Sequence, residues 1–513
     1  MMKKIENSTN RKYGIILQFL QIFVSIIVSV IYTPFMLEIL GQDIYGIYSV
    51  CTSSIAYLSL LALGFGSSYM RYYTRAIKKM DGITVDEVNW QYLIIFSFFG
   101  LLALILGLIF SQNAYLFFNN TFSTDDIALG SKLMFILTFN MAISFPASVF
   151  TSYISSQQKF ILLKFINILK TVISPTLSFL LLLAGYGSIG IVLITTIVNT
   201  FADMVNMYFC LKKLNMRFCI CRLNGKFARE VASFSIYIGI NQIVNQLNFS
   251  ADKIILSKVA NASSVAIYSI GSTLNTYFEQ VGSSIANLFD PKINKIIASD
   301  KERHVKDSEV NAIFIKVGRV QFIILALILS GFILFGNYFI KWWAGNDYLE
   351  SYYITLLLMT PMIIPLLQNT AVYIQRAKFK HKFRSLLYLT TSLLNVVISI
   401  LLSKKYGAAG AAFGTTITLL LSNTIINIYY HKAINLNVIK FWFEILKLTR
   451  GLVIPITIGL FLRNYMQISD FKDFMISIGV YSFTYILSMY LLVFNKSEKS
   501  IITSLLKKLL VKK

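Results

Sequence analysis

Five polar residues of the first apolar run, Gln18, Gln21, Ser25, Ser29 and Tyr32, recur at steps of three and four, which lays them along one face of a helix. Asn241, Asn245, Asn248 and Asp252 repeat that spacing further on, and Ser272, Asn275, Glu279, Ser283 and Asn287 repeat it again. Amides and hydroxyls arrayed in this way can hydrogen-bond a polar solute or line water. Ionisable residues stand in the same or neighbouring apolar runs: Glu279, Asp252, Asp203, Lys170, Lys253 and Arg319. A charge at the bilayer centre costs roughly 2.5–3.5 kcal/mol on the lenient insertion scale, so such residues mark ion or substrate pathways.

The elements that must position these groups are membrane helices. The 513 residues are 56% apolar and 14% aromatic with only 14% charge. A bilayer core takes about 20 mainly apolar residues per helix, and the unalternated runs exclude a β-barrel. Hydropathy places fourteen spans near residues 14–33, 44–70, 91–110, 131–154, 160–183, 187–211, 232–256, 264–289, 317–337, 352–374, 385–402, 409–430, 448–464 and 474–494.

Most of the 47 basic residues fall on one side of this scheme, which predicts a cytoplasmic N-terminus, a cytoplasmic C-terminus and cytoplasmic loops at 212–229, 290–316 and 376–384. Glu279 then lies about ten residues from the cytoplasmic end of its helix, roughly 15 Å at ~1.5 Å per residue, too deep to reach water. Asp203 is nearly as deep. Asp252 and Lys253 sit toward the outer end, where they could pair locally, and Arg319 could reach the headgroups with its long stem. The net charge of +24 reflects this topology and contact with anionic membrane lipids, so nucleic acid is not an expected partner.

No catalytic or metal constellation stands out. His304, His381 and His431 fall in predicted loops, and Cys210, Cys219 and Cys221 have no histidine near them in sequence. The first apolar run lacks a cleavage site and reads as a retained span. The tail SEKSIITSLLKKLLVKK, 497–513, has one apolar stripe beside lysines and should lie along the inner leaflet.

The sequence also repeats itself. GYGSIGIVLITTIVNTFADMVNMYFCLKKLN at 185–215 aligns without a gap with KYGAAGAAFGTTITLLLSNTIINIYYHKAIN at 405–435, an offset of 220 that returns where GIYSV at 46–50 meets AIYSI at 266–270. The same offset sets Asn241 over Gln21, Asn245 over Ser25 and Asp252 over Tyr32. The expected organisation is two parallel six-helix halves, 1–220 and 221–440, two further helices over 441–496 and the tail 497–513.

PFMLEILGQDIYGIYSVCTSSIAYLSLLALGFGSSYMRYYTR, over the first two spans, resembles the N-terminal signature of Wzx-type O-antigen and capsule flippases, and SADKIILSKVANASSVAIYSIGSTLNTYFEQVGSSIANLFDPKINK supports this in the second half. That resemblance implies the V-shaped pair of six-helix bundles found in multidrug and toxin extruders, a bacterial inner-membrane location and no enzymatic activity. It implies a polyprenyl-pyrophosphate-linked oligosaccharide as cargo, turned to the outer leaflet by alternating access and passed to a polysaccharide polymerase and chain-length regulator. Arg71, Lys170, Lys253 and Arg319 would then meet the pyrophosphate, and Gln21, Ser25, Asn241, Asn245, Asn248 and Asn275 would line the sugar path. Glu279, Asp252 and Asp203 would couple transport to H+ or Na+, with no other cofactor expected. A cation-coupled multidrug antiporter of the same fold is the alternative, since acids and bases are equally frequent within the spans. A membrane polymerase or glycosyltransferase is a further one, disfavoured by the lack of a large external loop holding paired carboxylates.

Overall fold

The computed structural model describes residues 2–62, 64–78, 82–221, 225–465, 470–495 and 498–499, with side chains from residue 17 onward except at 67, 226, 234, 236–238, 240, 241, 245 and 249. The side chains of Asn241 and Asn245, and all of the tail at 497–513 except Glu498 and Lys499, lie outside the described residues.

Regular structure among the described residues is helical throughout. The chain runs through α1 (Met2–Ala56), α2 (Phe65–Ile77), α3 (Val85–Gln112), α4 (Thr124–Ser156), α5 (Phe160–Leu183), α6 (Gly187–Tyr208), α7 (Gly225–Val259) and α8 (Ala262–Asn287). It continues through α9 (Asp290–Ile297), α10 (Arg303–Trp343), α11 (Ser351–Leu367), α12 (Asn369–Ala377), α13 (Lys382–Lys432), α14 (Val438–Leu448), α15 (Val453–Tyr465) and α16 (Phe471–Leu492).

Nine helical stretches among the described residues are long and apolar enough to cross a bilayer, or ten if α11 and α12, bent by 43°, form one span. That criterion does not reach the expected fourteen, for identifiable reasons. Two expected spans share α1, which turns at Gly41 (φ 72°), and two share α13, which turns at Gly407 (φ 51°). The polar faces of α7 and α8 lower their average apolarity, although both helices form where spans were expected.

Local chemistry explains where helices begin and end. Thr84 opens α3 with a capping box: its Oγ1 accepts from the Glu87 N–H at 3.2 Å, and its own N–H donates to Glu87 Oε2 at 2.8 Å. Ser123 and Asp126 do the same for α4. The offset of 220 reappears in the backbone. Asn215 (φ 50°) and Asn435 (φ 62°) are both left-handed, and each is followed by an N–H that closes back six residues, Met216 to the Cys210 carbonyl and Leu436 to that of Tyr430. Gly187 (φ 54°) and Gly407 (φ 51°) are likewise matched.

The chain divides into two compact units, residues 1–269 with 387–415, and 270–386 with 416–513. In the first, α3 lies close to α4 because Gly107 leaves room for Thr138, whose side chain stands where a Cβ at Gly107 would be. Large apolar residues such as Phe98, Leu101 and Ile105 point outward at helical spacing, a surface suited to lipid tails. The second unit has its own core, in which Leu334, Phe335, Leu462, Phe474, Tyr481, Tyr485 and Met489 pack together and Tyr481 and Ser330 hydrogen-bond at 2.6 Å.

Candidate functional site

In the first unit, α4, α5 and α6 wall two cavities with polar side chains. One, of about 350 Å³, is lined by Thr52, Asn140, Ser144, Ser148, Thr151, Lys170, Asn199 and Asp203 with a few apolar residues. The other, of about 540 Å³, is lined by Gln18, Thr151, Ser155, Lys164, Asn167, Lys170, Asp203 and Asn206 with Phe160 and Leu163. Thr151, Lys170 and Asp203 belong to both walls, so the cavities meet there.

Helical periodicity builds these walls: residues 140, 144, 148, 151 and 155 form one stripe of α4, residues 164, 167 and 170 one of α5, and residues 199, 203 and 206 one of α6. The α4 hydroxyls of Ser148 and Ser155 donate to carbonyls one turn back, at 2.7 and 2.8 Å, which lets a membrane helix carry them without an external partner. Asn206 is buried, and its Oδ1 has no hydrogen-bond partner. Two lysines and one aspartate leave the charged part of the space net basic.

A second polar cluster in the same unit surrounds Asp252, which is fully buried. Its Oδ2 accepts from the Tyr268 hydroxyl at 2.5 Å and from Thr415 Oγ1 at 2.8 Å. Asn395 Nδ2 donates to Thr415 Oγ1 at 3.2 Å, and Ser399 Oγ donates to Asn395 Oδ1 at 3.1 Å. Asp252 Oδ1 has no partner. An unpaired carboxylate oxygen beside hydroxyl and amide oxygens is the kind of environment that takes a proton or a hard cation. A local pair with Lys253, one reading of the sequence, is absent: among the described ion pairs Asp252 has none, and its described hydrogen-bond partners are hydroxyls.

The repeat places Tyr32, Tyr48 and Thr195 opposite Asp252, Tyr268 and Thr415. In the first half Thr195 lies 3.5 Å from Ser174, as Thr415 lies by Asn395 in the second. Both copies keep the hydroxyls, and only the second has the carboxylate.

In the second unit, Glu279 Oε1 accepts from Asn275 Nδ2 at 2.9 Å, a bond within α8, and Asn275 Oδ1 is left unpaired. Arg319 is buried in an ion network: Nε and Nη2 donate to Glu498 at 2.8 and 3.0 Å, Nη1 to Glu444 at 3.2 Å, and Nη2 also to the Val493 carbonyl at 3.4 Å. Lys447 completes it at 2.6 Å from Glu444. The guanidinium that was expected to meet an anionic cargo is thus bonded to two acids of the chain itself.

Of the remaining expected site residues, Arg71 is exposed on α2, and Gln21 and Ser25 are half-buried without reaching either cavity wall. Gln21 Oε1 is buried and unpaired. Asn248 Oδ1 accepts from Ser392 at 3.0 Å. Lys164, the α4 stripe, Asn199 and Asn206 of α6, Tyr268, Asn395 and Ser399 were not singled out from sequence. Thr415 was within reach, since the repeat pairs it with Thr195.

A model of the family described as polysaccharide biosynthesis protein matches residues 12–289, more than half of the chain. The chain belongs to that family. The matched region takes in both cavities, Asp252 and Tyr268, and ends before Asn395, Ser399 and Thr415. Membrane protein EpsK of Bacillus subtilis (strain 168), itself uncharacterised, is 21% identical over 504 residues, 93% of this chain and 94% of that one. A putative O-antigen transporter of Shigella flexneri is 20% identical over 404 residues, covering 76% and 90%.

Among solved structures the chain is similar to the lipid II flippase MurJ in its inward closed conformation, with a TM-score of 0.67, 15% identity and coverage of 94% and 98%. It is also similar to an inward-facing multidrug MATE transporter of the MOP superfamily, with a TM-score of 0.56, 13% identity and coverage of 82% and 98%. These likenesses show that this member of the polysaccharide biosynthesis family shares the helical fold of those two transporters.

Proposed function

We propose that the protein is a flippase that turns polyprenyl-pyrophosphate-linked oligosaccharide units from the cytoplasmic to the outer leaflet of a bacterial inner membrane, for polymerisation into surface polysaccharide. The observation that carries this reading is the net-basic, hydroxyl- and amide-walled space around Lys170, found within the region matched to a polysaccharide biosynthesis family. Ammonium groups suit the diphosphate, and neutral donors and acceptors suit the sugars. Asp252, and separately Glu279, would couple the movement to H+ or Na+. An antiporter of cationic drugs would need a net-acidic cavity, and the two lysines beside Asp203 disfavour it.

Deletion of the gene tests this reading. Intact single repeat units on their lipid carrier should accumulate facing the cytosol while surface polysaccharide is lost. Normal polysaccharide with altered drug resistance would favour the antiporter, and accumulation of exported but unjoined units would favour a polymerase.

A further inference from the structure

The two joined cavities differ in chemistry in a way that orients a ligand. The smaller is walled by neutral hydroxyls and amides, with Lys170 and Asp203 at one end, whereas the larger adds Lys164 from the same helix as Lys170. Lys164 and Lys170 are six residues apart, about 9 Å along the axis at ~1.5 Å per residue. Each ammonium is a compact charge with three rotatable donors on a flexible stem, so the pair can hold the two ends of one extended polyanion. Asp203, on α6, shares the walls of both cavities with Lys170. A carboxylate there lowers the cost of keeping two like charges in a confined space when nothing else occupies it. Asn206, three residues on from Asp203 on the same face, also lines the larger cavity, and its buried Oδ1 has no partner.

We propose that Lys164 and Lys170 together bind the diphosphate group of the ligand in the larger cavity, that the adjoining smaller cavity takes the first sugars, and that Asp203 is an internal counter-ion which the diphosphate displaces from Lys170. This deepens the flippase reading and rests on it. No bond is made or broken: one anionic partner of Lys170 replaces another. The role differs from proton coupling, because it requires Asp203 to compete with the ligand.

The test measures binding to the full-length protein in nanodiscs of neutral lipid, so that anionic headgroups do not compete, with geranyl diphosphate, geranyl monophosphate and inorganic diphosphate as probes. Lys164→Gln and Lys170→Gln should each weaken geranyl diphosphate binding by about tenfold or more, as expected for loss of one contact to a charged group, and weaken the monophosphate less. Lys164→Arg should restore most of the loss, which separates a lost charge from a damaged fold. Asp203→Asn should tighten geranyl diphosphate binding.

Unchanged binding in Lys164→Gln, or weaker binding in Asp203→Asn, would overturn the assignment. Geranyl diphosphate binding more tightly than inorganic diphosphate identifies a lipid-borne ligand. Equal affinity for the two would support the anion site and count against the lipid cargo, so failure of the flippase reading is distinguishable from failure of the site.

Discussion

Thr415 Oγ1 donates to Asp252 Oδ2 at 2.8 Å across 163 residues of sequence, tying α13 to α7 inside one compact unit. With Tyr268 on the same oxygen, one side of the carboxylate is satisfied and Oδ1 has no partner, where the proposed coupling would place a proton or a cation. Asp252→Asn keeps the shape and removes that capacity. The expected outcome is normal membrane abundance with transport that no longer responds to a sodium or pH gradient, measured in proteoliposomes. A gradient response equal to wild type would assign Asp252 to structure alone.

Thr415→Val should cost about 1–3 kcal/mol, since it leaves a buried polar partner unsatisfied. Thermal unfolding in detergent reads this, and Thr415→Ser should recover most of it because the hydroxyl is restored. A valine variant as stable as wild type would mean the hydrogen bond is not formed in the membrane.

The network around Arg319 predicts a stability effect rather than a transport effect. Removing one partner of a buried ion pair costs about 3–5 kcal/mol, whereas replacing both by apolar groups is often neutral. Arg319→Met alone should therefore lower the melting temperature strongly, and Arg319→Met with Glu498→Leu should recover much of the loss. Cargo affinity in the double variant should remain that of the wild type; a selective loss of affinity at normal stability would return Arg319 to the cargo.

Glu498 also divides the C-terminal tail into two parts. Truncation after residue 499 keeps this partner of Arg319 and should leave polysaccharide export intact, whereas truncation after residue 496 removes it and should reduce protein abundance. Equal effects of the two truncations would mean that Glu498 does not anchor the tail.

Glu279 bonds only to Asn275 on its own helix among the described hydrogen bonds, so its carboxylate does not join two helices through Asn275. Glu279→Gln keeps the size and the hydrogen bonding but cannot titrate. Export should fall severely at normal abundance, by assay of surface polysaccharide. Wild-type export by that variant would leave the bond to Asn275 as the whole role.

What could be read in sequence follows the range over which each signal acts. Apolar runs and the polar faces of α1, α7 and α8 are local, and the helices formed where those patterns fall. The repeat was legible because an offset of 220 keeps turn chemistry in step, down to the left-handed Asn215 and Asn435. The stripe of α4 was missed because serine and threonine at helical spacing satisfy themselves on their own helix and read as ordinary packing. Lys164 resembled any lysine near a helix end until α4 and α6 closed a cavity around it. The ion network of Arg319 was not legible because Glu498 lies 179 residues away, and no pattern within one helix reveals such a partner.

The central claim, that the chain moves a lipid-linked saccharide between leaflets, is tested most directly by reconstitution. Purified protein in proteoliposomes carrying a fluorescent polyprenyl-diphosphate oligosaccharide should shift the lipid between leaflets, read as a change in the fraction accessible to an external glycosidase. Wild type should raise that exchange well above empty liposomes and above a Lys164→Gln, Lys170→Gln double variant. Exchange no faster than in empty liposomes, with the protein folded and the required ion gradient present, would contradict the account.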